Sequence, residues 1–383
     1  MIEYKSSGGK EMIWMLLFLL LFVTAGLSLV YLVTRFYKFP LLDKLSKGNK
    51  KFRIGISIWI VAILLTVIWL TIGLMNAVVC VLHLVAFWLL SDFAFWIVQK
   101  LRCQPSKGYY AGILALALTT GYLMIGWELA HHVRQTDYTI ETEKAVGELR
   151  IAQFADSHVG TTFDGKGFAE HMKKIEALEL DAVLVTGDFV DDKTSKEDMT
   201  AACRALGNLR TTYGVYFSLG NHDKGYYEAA YRGYSGDDLI AELEKNDVVV
   251  LQDESILLDD RFYIIGRRDR SEGLASGKAR AAMSQLMSPF DSDKFTIVMD
   301  HQPCDYKAQE EAGADLVFSG HTHGGQLLPI NFMGELVSEN DKTYGHEKRG
   351  DTDFIVTSGI ADWALRFKTG CASEYVVVDI KEK

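Results

Sequence analysis

Cysteine is scarce and unpatterned: Cys80, Cys103, Cys203, Cys304 and Cys371 are scattered through 383 residues, with no CxxC pair. This excludes a disulfide framework, which a domain of this size does not need. Internal repeats and low-complexity tracts are absent as well. Basic surplus is missing from the C-terminal part. Residues 1–139 hold 13 Lys/Arg against 6 Asp/Glu and the remainder 27 against 44, giving +7 and −17 within an overall charge of −10. An acidic half of that size argues against nucleic acid as a partner, because phosphate backbones are bound by Lys/Arg surfaces.

Charge of either sign is lacking between Glu11 and Arg35 and again from Ile54 to Ser91. Met12–Val33 is long enough to cross about 30 Å of hydrocarbon as a helix and too long for a signal peptide, whose basic flank would also precede it. The second stretch exceeds one span, and Gly73–Asn76 offers a break, so a hairpin of two spans is expected. Tyr109–Ala130 makes a fourth, with paired tyrosines at one end and Trp127 near the other as interfacial anchors. Arg35, Lys38, Lys44, Lys47, Lys50, Lys51 and Arg53 against Asp43 alone place the first loop in the cytoplasm, and Lys100, Arg102 and Lys107 fall on the same side two crossings later. Both termini and the C-terminal domain are therefore expected on the extracytoplasmic face. Two acids fall within apolar runs. Glu128 is expected at the interface, and Asp92 is either paired inside the bundle or functional.

After a polar connector the pattern becomes short β-branched runs alternating with helical stretches, an α/β rhythm. Expected strands are 149–154, 182–186, 215–219, 248–251, 262–265, 296–299, 316–318, 354–357 and 375–380; expected helices are 168–178, 196–209, 237–245 and 278–287. The division expected is a membrane region at 1–133, a connector at 134–147 and a catalytic domain at 148–383.

Several strands end in clusters of Asp, His and Asn, where sites assemble in α/β sheets. The clusters are Asp156-Ser157-His158, Gly187-Asp188-Phe189-Val190-Asp191, Gly220-Asn221-His222-Asp223, His301, and Gly320-His321-Thr322-His323-Gly324-Gly325-Gln326. Five of the ten histidines fall in them. Asp and His are hard-to-borderline ligands, and glycine beside them lets backbone crowd a metal or phosphate. Singly each cluster is weak; in this order and context they form a specific set.

The order DxH, GDxxD, GNHD, single His, GHTH resembles the signature of calcineurin-like metallophosphoesterases, over about 170 residues and with every signature position filled. The GHTHGGQ ending and the apolar N-terminal region look like the bacterial membrane-associated branch. The resemblance implies a four-layer α/β/β/α sandwich preceded by a four-helix transmembrane region. It also implies two divalent metals: Asp156, His158 and His323 would hold one, Asn221, His301 and His321 the other, and Asp188 would bridge them. His222 would sit beside the leaving group as general acid or transition-state stabiliser, with Asp191 and Asp223 acting from behind the ligands. Mixed N and O ligation suits Mn, Fe, Zn or Co better than Ca or Mg. The reaction implied is in-line attack on a phosphomonoester, phosphodiester or pyrophosphate by a hydroxide bridging the metals, and the four spans point to a lipid-linked or membrane-surface substrate.

Two positions depart from the family. Cys304 stands where relatives often carry an acid and is expected to pack. Arg366 stands where relatives place a basic residue, in a different local sequence, and would face phosphate. The stretches 226–236 and 331–350 are expected to border the substrate. Competing readings are a sensor or scaffold that has lost its chemistry, for which ligands should be missing, and a transporter resting on Asp92, for which no inverted repeat is seen.

Overall fold

The computed structural model describes residues 7–102, 108–272, 280–332 and 339–383. The chain divides into two compact units, Met1–Ile125 and Gly126–Lys383.

The first unit is helical: α1 (Ser7–Phe36), α2 (Pro40–Leu45), α3 (Lys50–Ile72), α4 (Leu74–Arg102) and most of α5 (Tyr110–His131). All but α2 are long and apolar enough to cross a membrane. Gly73, at φ 88°, makes the expected break between α3 and α4, a left-handed turn that only glycine enters cheaply. Side chains such as Leu27, Trp59 and Leu70 turn outward, more than two-thirds exposed, while Leu32, Phe36, Leu84 and Trp88 form the interior. Apolar groups outside a packed interior are what a helix bundle in lipid requires. Asp92 pairs within this bundle: its carboxylate lies 3.1 Å from Arg35 Nε and accepts hydrogen bonds from the hydroxyls of Tyr109 at 3.1 Å and Tyr31 at 3.4 Å. Cys103 and Lys107 lie outside the described residues.

The second unit contains two six-stranded sheets. One has the order β1-β12-β2-β3-β4-β5 and the other β10-β11-β9-β8-β7-β6. The first is built from β1 (Arg134–Thr142), β2 (Glu148–Phe154), β3 (Ala182–Thr186), β4 (Val215–Ser218), β5 (Val248–Val250) and β12 (Glu374–Glu382). The second comprises β6 (Glu254–Leu258), β7 (Phe262–Gly266), β8 (Phe295–Met299), β9 (Leu316–Ser319), β10 (Gly345–Arg349) and β11 (Thr352–Val356). Alternation along the strands sends one face of each sheet into a shared core, where Ile151, Leu184 and Tyr216 meet Ile264, Ile297 and Phe318. The outer face of the first sheet is covered by α6 (Gly165–Glu176), α7 (Lys196–Gly207) and α9 (Gly236–Lys245), the short α8 (Ala229–Arg232) lying between the last two in sequence. The outer face of the second carries shorter helices, Met283–Met287 and Tyr306–Glu311. This is the four-layer α/β/β/α sandwich.

The stretch expected as a connector is different. Arg134–Thr142 is β1, paired in parallel with β12 along nine residues. Its side chains are mostly exposed, so no apolar run marks it. The expected helix at 278–287 is confined to Met283–Met287 among the described residues, and its first two residues lie outside them. Glu128 is exposed, 3.7 Å from His132, in the last turn of α5.

Candidate metal centre

The loops following β2, β3, β4, β8 and β9 deliver all five clusters to one place. Two groups of side chains converge tightly enough to hold an ion each: Asp156, His158 and His323, and Asp188, His301 and His321. Asn221 joins the second group, its Oδ1 lying 2.9 Å from His321 Nδ1 and 3.1 Å from His301 Nε2. Asp188 stands between the groups, with Oδ2 at 3.1 Å from His301 Nε2 and 3.8 Å from His158 Nε2.

The backbone is bent hard to achieve this. Asp156, His158, Asp188, His321 and His323 all have φ between 34° and 69°, the left-handed region that side chains other than glycine rarely enter. Such conformations cost of order 1 kcal/mol or more each and collect at functional sites. Close approach also fixes the neighbouring glycines. A Cβ on Gly320 would fall 2.7 Å from Asp156 Oδ2, and one on Gly187 2.8 Å from His301 Nδ1.

Second partners set the orientation of the ligands. His301 Nδ1 lies 2.8 Å from the Thr186 carbonyl, so it donates there and leaves Nε2 for the centre. Asp191 Oδ2 lies 3.7 Å behind His158 Nδ1. Asp223 is fully buried and accepts from the backbone N–H groups of Asp188, Phe189, Val190 and Gly220 at 2.7–3.1 Å. It clips the GDxxD and GNHD loops together. His222 is half-buried, its ring 5.1 Å from that of His158 and flanked by Tyr226 at 4.8 Å and Trp363 at 5.4 Å.

Three buried imidazole nitrogens, both of His158 and Nδ1 of His323, have no hydrogen-bond partner. An unsatisfied buried polar atom costs about 1–3 kcal/mol, and the one lone pair that each neutral ring carries fits a divalent ion. The electrostatics agree. Burial holds His158 down to about 3, and likewise depresses His323, so both are neutral and able to ligate. Burial pushes Asp156 up to about 7 in the absence of a cation. Burial would raise Asp188 too, but the adjacent His301 outweighs it and keeps the carboxylate ionised.

Arg366 lies near His131, on which its charge acts. Cys304 is buried, and its thiol is pushed up to about 11, first by burial, so it packs as a protonated group. Of the two expected substrate-side stretches, Tyr226 borders His222, and Thr343 accepts from Thr322 Oγ1 at 2.6 Å between the GHTH histidines. Residues 333–338 lie outside the described residues.

Lys368 is a basic residue that inspection of the sequence overlooks. It has no solvent exposure; Nζ donates to Ser358 O at 2.7 Å and Gly359 O at 3.2 Å and lies 3.4 Å from Asp362. Gly359 packs on Asp156, where a Cβ would meet that of the aspartate at 2.8 Å. Lys368 therefore braces the wall behind a ligand, but no motif surrounds it.

Residues 149–325 match the calcineurin-like phosphoesterase family. Among curated relatives, an uncharacterized metallophosphoesterase of Campylobacter jejuni is 27% identical over 66% of this chain and 63% of its own length. One from Helicobacter pylori is 27% identical over 77% and 78%. A Bos taurus protein named transmembrane protein with metallophosphoesterase domain is 26% identical over 60% and 52%. With the sandwich, the order of the clusters and their convergence, the match shows a calcineurin-like phosphoesterase domain over residues 149–325, preceded by four apolar helices.

Proposed function

We propose that the protein hydrolyses a phosphoester, as a mono-, di- or pyrophosphate, at two divalent ions of the Mn, Fe, Zn or Co type. Asp156, His158 and His323 would hold one ion, Asn221, His301 and His321 the other, and Asp188 both. The observation that carries this reading is the set of partnerless buried nitrogens on His158 and His323 beside ionised Asp188. Such ions would neutralise charge growing on the phosphate oxygens and lower the pKa of water.

The protein's own groups do the rest. The Asp223 clip and the Asp191–His158 contact keep the ligands in place before substrate arrives. His222, at the mouth between Tyr226 and Trp363, is positioned to give a proton to the departing oxygen. Exposed Tyr226, Tyr227, Tyr231 and Trp363 make a wet-and-greasy aromatic border of the kind found at membrane interfaces. With the four apolar helices, that border favours a lipid-linked or membrane-surface phosphate. The charge of the loops favours an extracytoplasmic catalytic domain in the cell membrane.

The test uses full-length protein freed of metal by chelation and assayed on an aryl phosphate and an aryl phosphodiester, with and without Mn. Activity that returns with metal and is abolished in Asp188→Ala and Asn221→Ala, both still folded, is expected. Metal binding without hydrolysis of either compound would make the protein a sensor. A screen of lipid and nucleotide phosphates then tests the substrate class, and preference for soluble nucleotides would overturn the membrane-surface assignment.

A further inference from the structure

The helical unit contains a recess of about 410 Å³ where the end of α1, the last third of α4 and the start of α5 meet. Volumes of this order hold small ligands and headgroups. Its lining includes Arg35, Lys38, Asp92, Trp96, Tyr109 and Tyr110.

An arginine at the end of a span ordinarily extends to water. Arg35 instead folds back onto Asp92 through Nε at 3.1 Å, with its guanidinium 4.4 Å from the Tyr31 ring centre. Asp92 is held in turn by the Tyr109 hydroxyl, which accepts from Trp88 Nε1 at 2.8 Å. The carboxylate is thus spent on Arg35 and two tyrosines. Among the described residues Arg35 makes no ion pair besides that with Asp92, and its side chain also hydrogen-bonds Tyr31. Lys38 stands over the Tyr109 ring at 5.3 Å and makes no ion pair among the described residues. Two cations against one carboxylate leave the recess with a surplus positive charge. The aromatic side chains around it sit where spans end, at headgroup depth.

We propose that this recess binds the phosphate of an anionic phospholipid headgroup, separately from the phosphoesterase centre. The Arg35 guanidinium would supply charge-assisted hydrogen bonds to the phosphate oxygens. Lys38 would add a point charge, while Trp96 and Tyr110 would border the glycerol region.

The experiment uses delipidated full-length protein reconstituted in phosphatidylcholine, with and without phosphatidylglycerol. Lipid retention is read by native mass spectrometry and affinity by titration with short-chain phosphatidylglycerol. Lys38→Gln disturbs no ion pair and is expected to weaken phosphatidylglycerol binding about fivefold, the usual worth of one charge near a membrane surface. Arg35→Gln with Lys38→Gln should abolish the preference over phosphatidylcholine, with metal content unchanged. Lys47→Gln with Lys51→Gln, outside the recess, should leave binding intact. Equal weakening by that control pair would show diffuse attraction and overturn the site, and displacement of the lipid by inorganic phosphate at matching concentration would overturn the lipid assignment. Should the double variant fail to fold, Lys38→Gln against its control pair still decides.

Discussion

The Tyr226 hydroxyl accepts a hydrogen bond from Asn221 Nδ2 at 2.7 Å, which turns Asn221 Oδ1 toward His301 and His321. An amide that could present either face to a metal is thereby fixed with its oxygen inward. Tyr226→Phe is expected to weaken the metal at the Asp188/His301/His321 group by about 10-fold or more, the usual effect of removing a partner behind a ligand. Metal titration of the purified variant checks this, and an unchanged affinity would assign Tyr226 to the substrate side alone.

Lys368 is the second such support. Lys368→Met leaves Asp362 buried without its cation, a loss of about 3–5 kcal/mol. Lys368→Met with Asp362→Asn removes both charges and should recover most of the stability. It should still lack the brace on Ser358 and Gly359, so the Asp156/His158/His323 group is expected to lose its metal first. Two ions in the double variant, counted by elemental analysis, would refute the bracing role.

Asp223 accepts four backbone hydrogen bonds with one carboxylate. In Asp223→Asn an amide nitrogen would face backbone donors. The expected cost is about 3 kcal/mol, read as a lower urea midpoint. A midpoint within error of wild type, with activity lost, would move Asp223 from loop clip to chemistry.

Metal uptake should depend on pH in a defined direction. Asp156 lies at about 7 in the metal-free protein because burial disfavours its charge, whereas His158 and His321, held near 3 and 4 by burial first, are already neutral. Binding must therefore displace the Asp156 proton below pH 7 as well as the His301 proton, which burial disfavours but the adjacent Asp188 retains, and affinity falls as pH drops, by roughly tenfold per pH unit for each proton displaced. Competition titrations from about pH 8 to about pH 6 measure the slope; a flat profile would contradict it.

The sequence revealed the centre more fully than the edges of the sheets. The interior strands β3, β8 and β9 are almost wholly apolar because both faces are buried. β1, β6 and β10 lie at sheet edges with nearly every residue exposed or half-buried, so composition does not separate them from loops. Asp156, Asp188 and the histidines were legible because ligand chemistry restricts residue type. Their left-handed backbone was not, since φ at a non-glycine residue leaves no compositional trace. Lys368 was hidden for a related reason: its partners are mainly carbonyls, which every residue has.

The β1–β12 pairing bears on how the domain can be isolated. A fragment beginning at Glu148 would strip the partner from Glu374–Glu382 and leave a nine-residue open flank on a strand that normally lies inside the sheet. Such a flank recruits foreign strands. A fragment retaining Gly126–Thr142 keeps that seam closed, together with the hydrogen bond from Ser373 Oγ to Ala130 O at 2.8 Å. The polar run that looks like a dispensable tether is thus the domain's own guard against self-association.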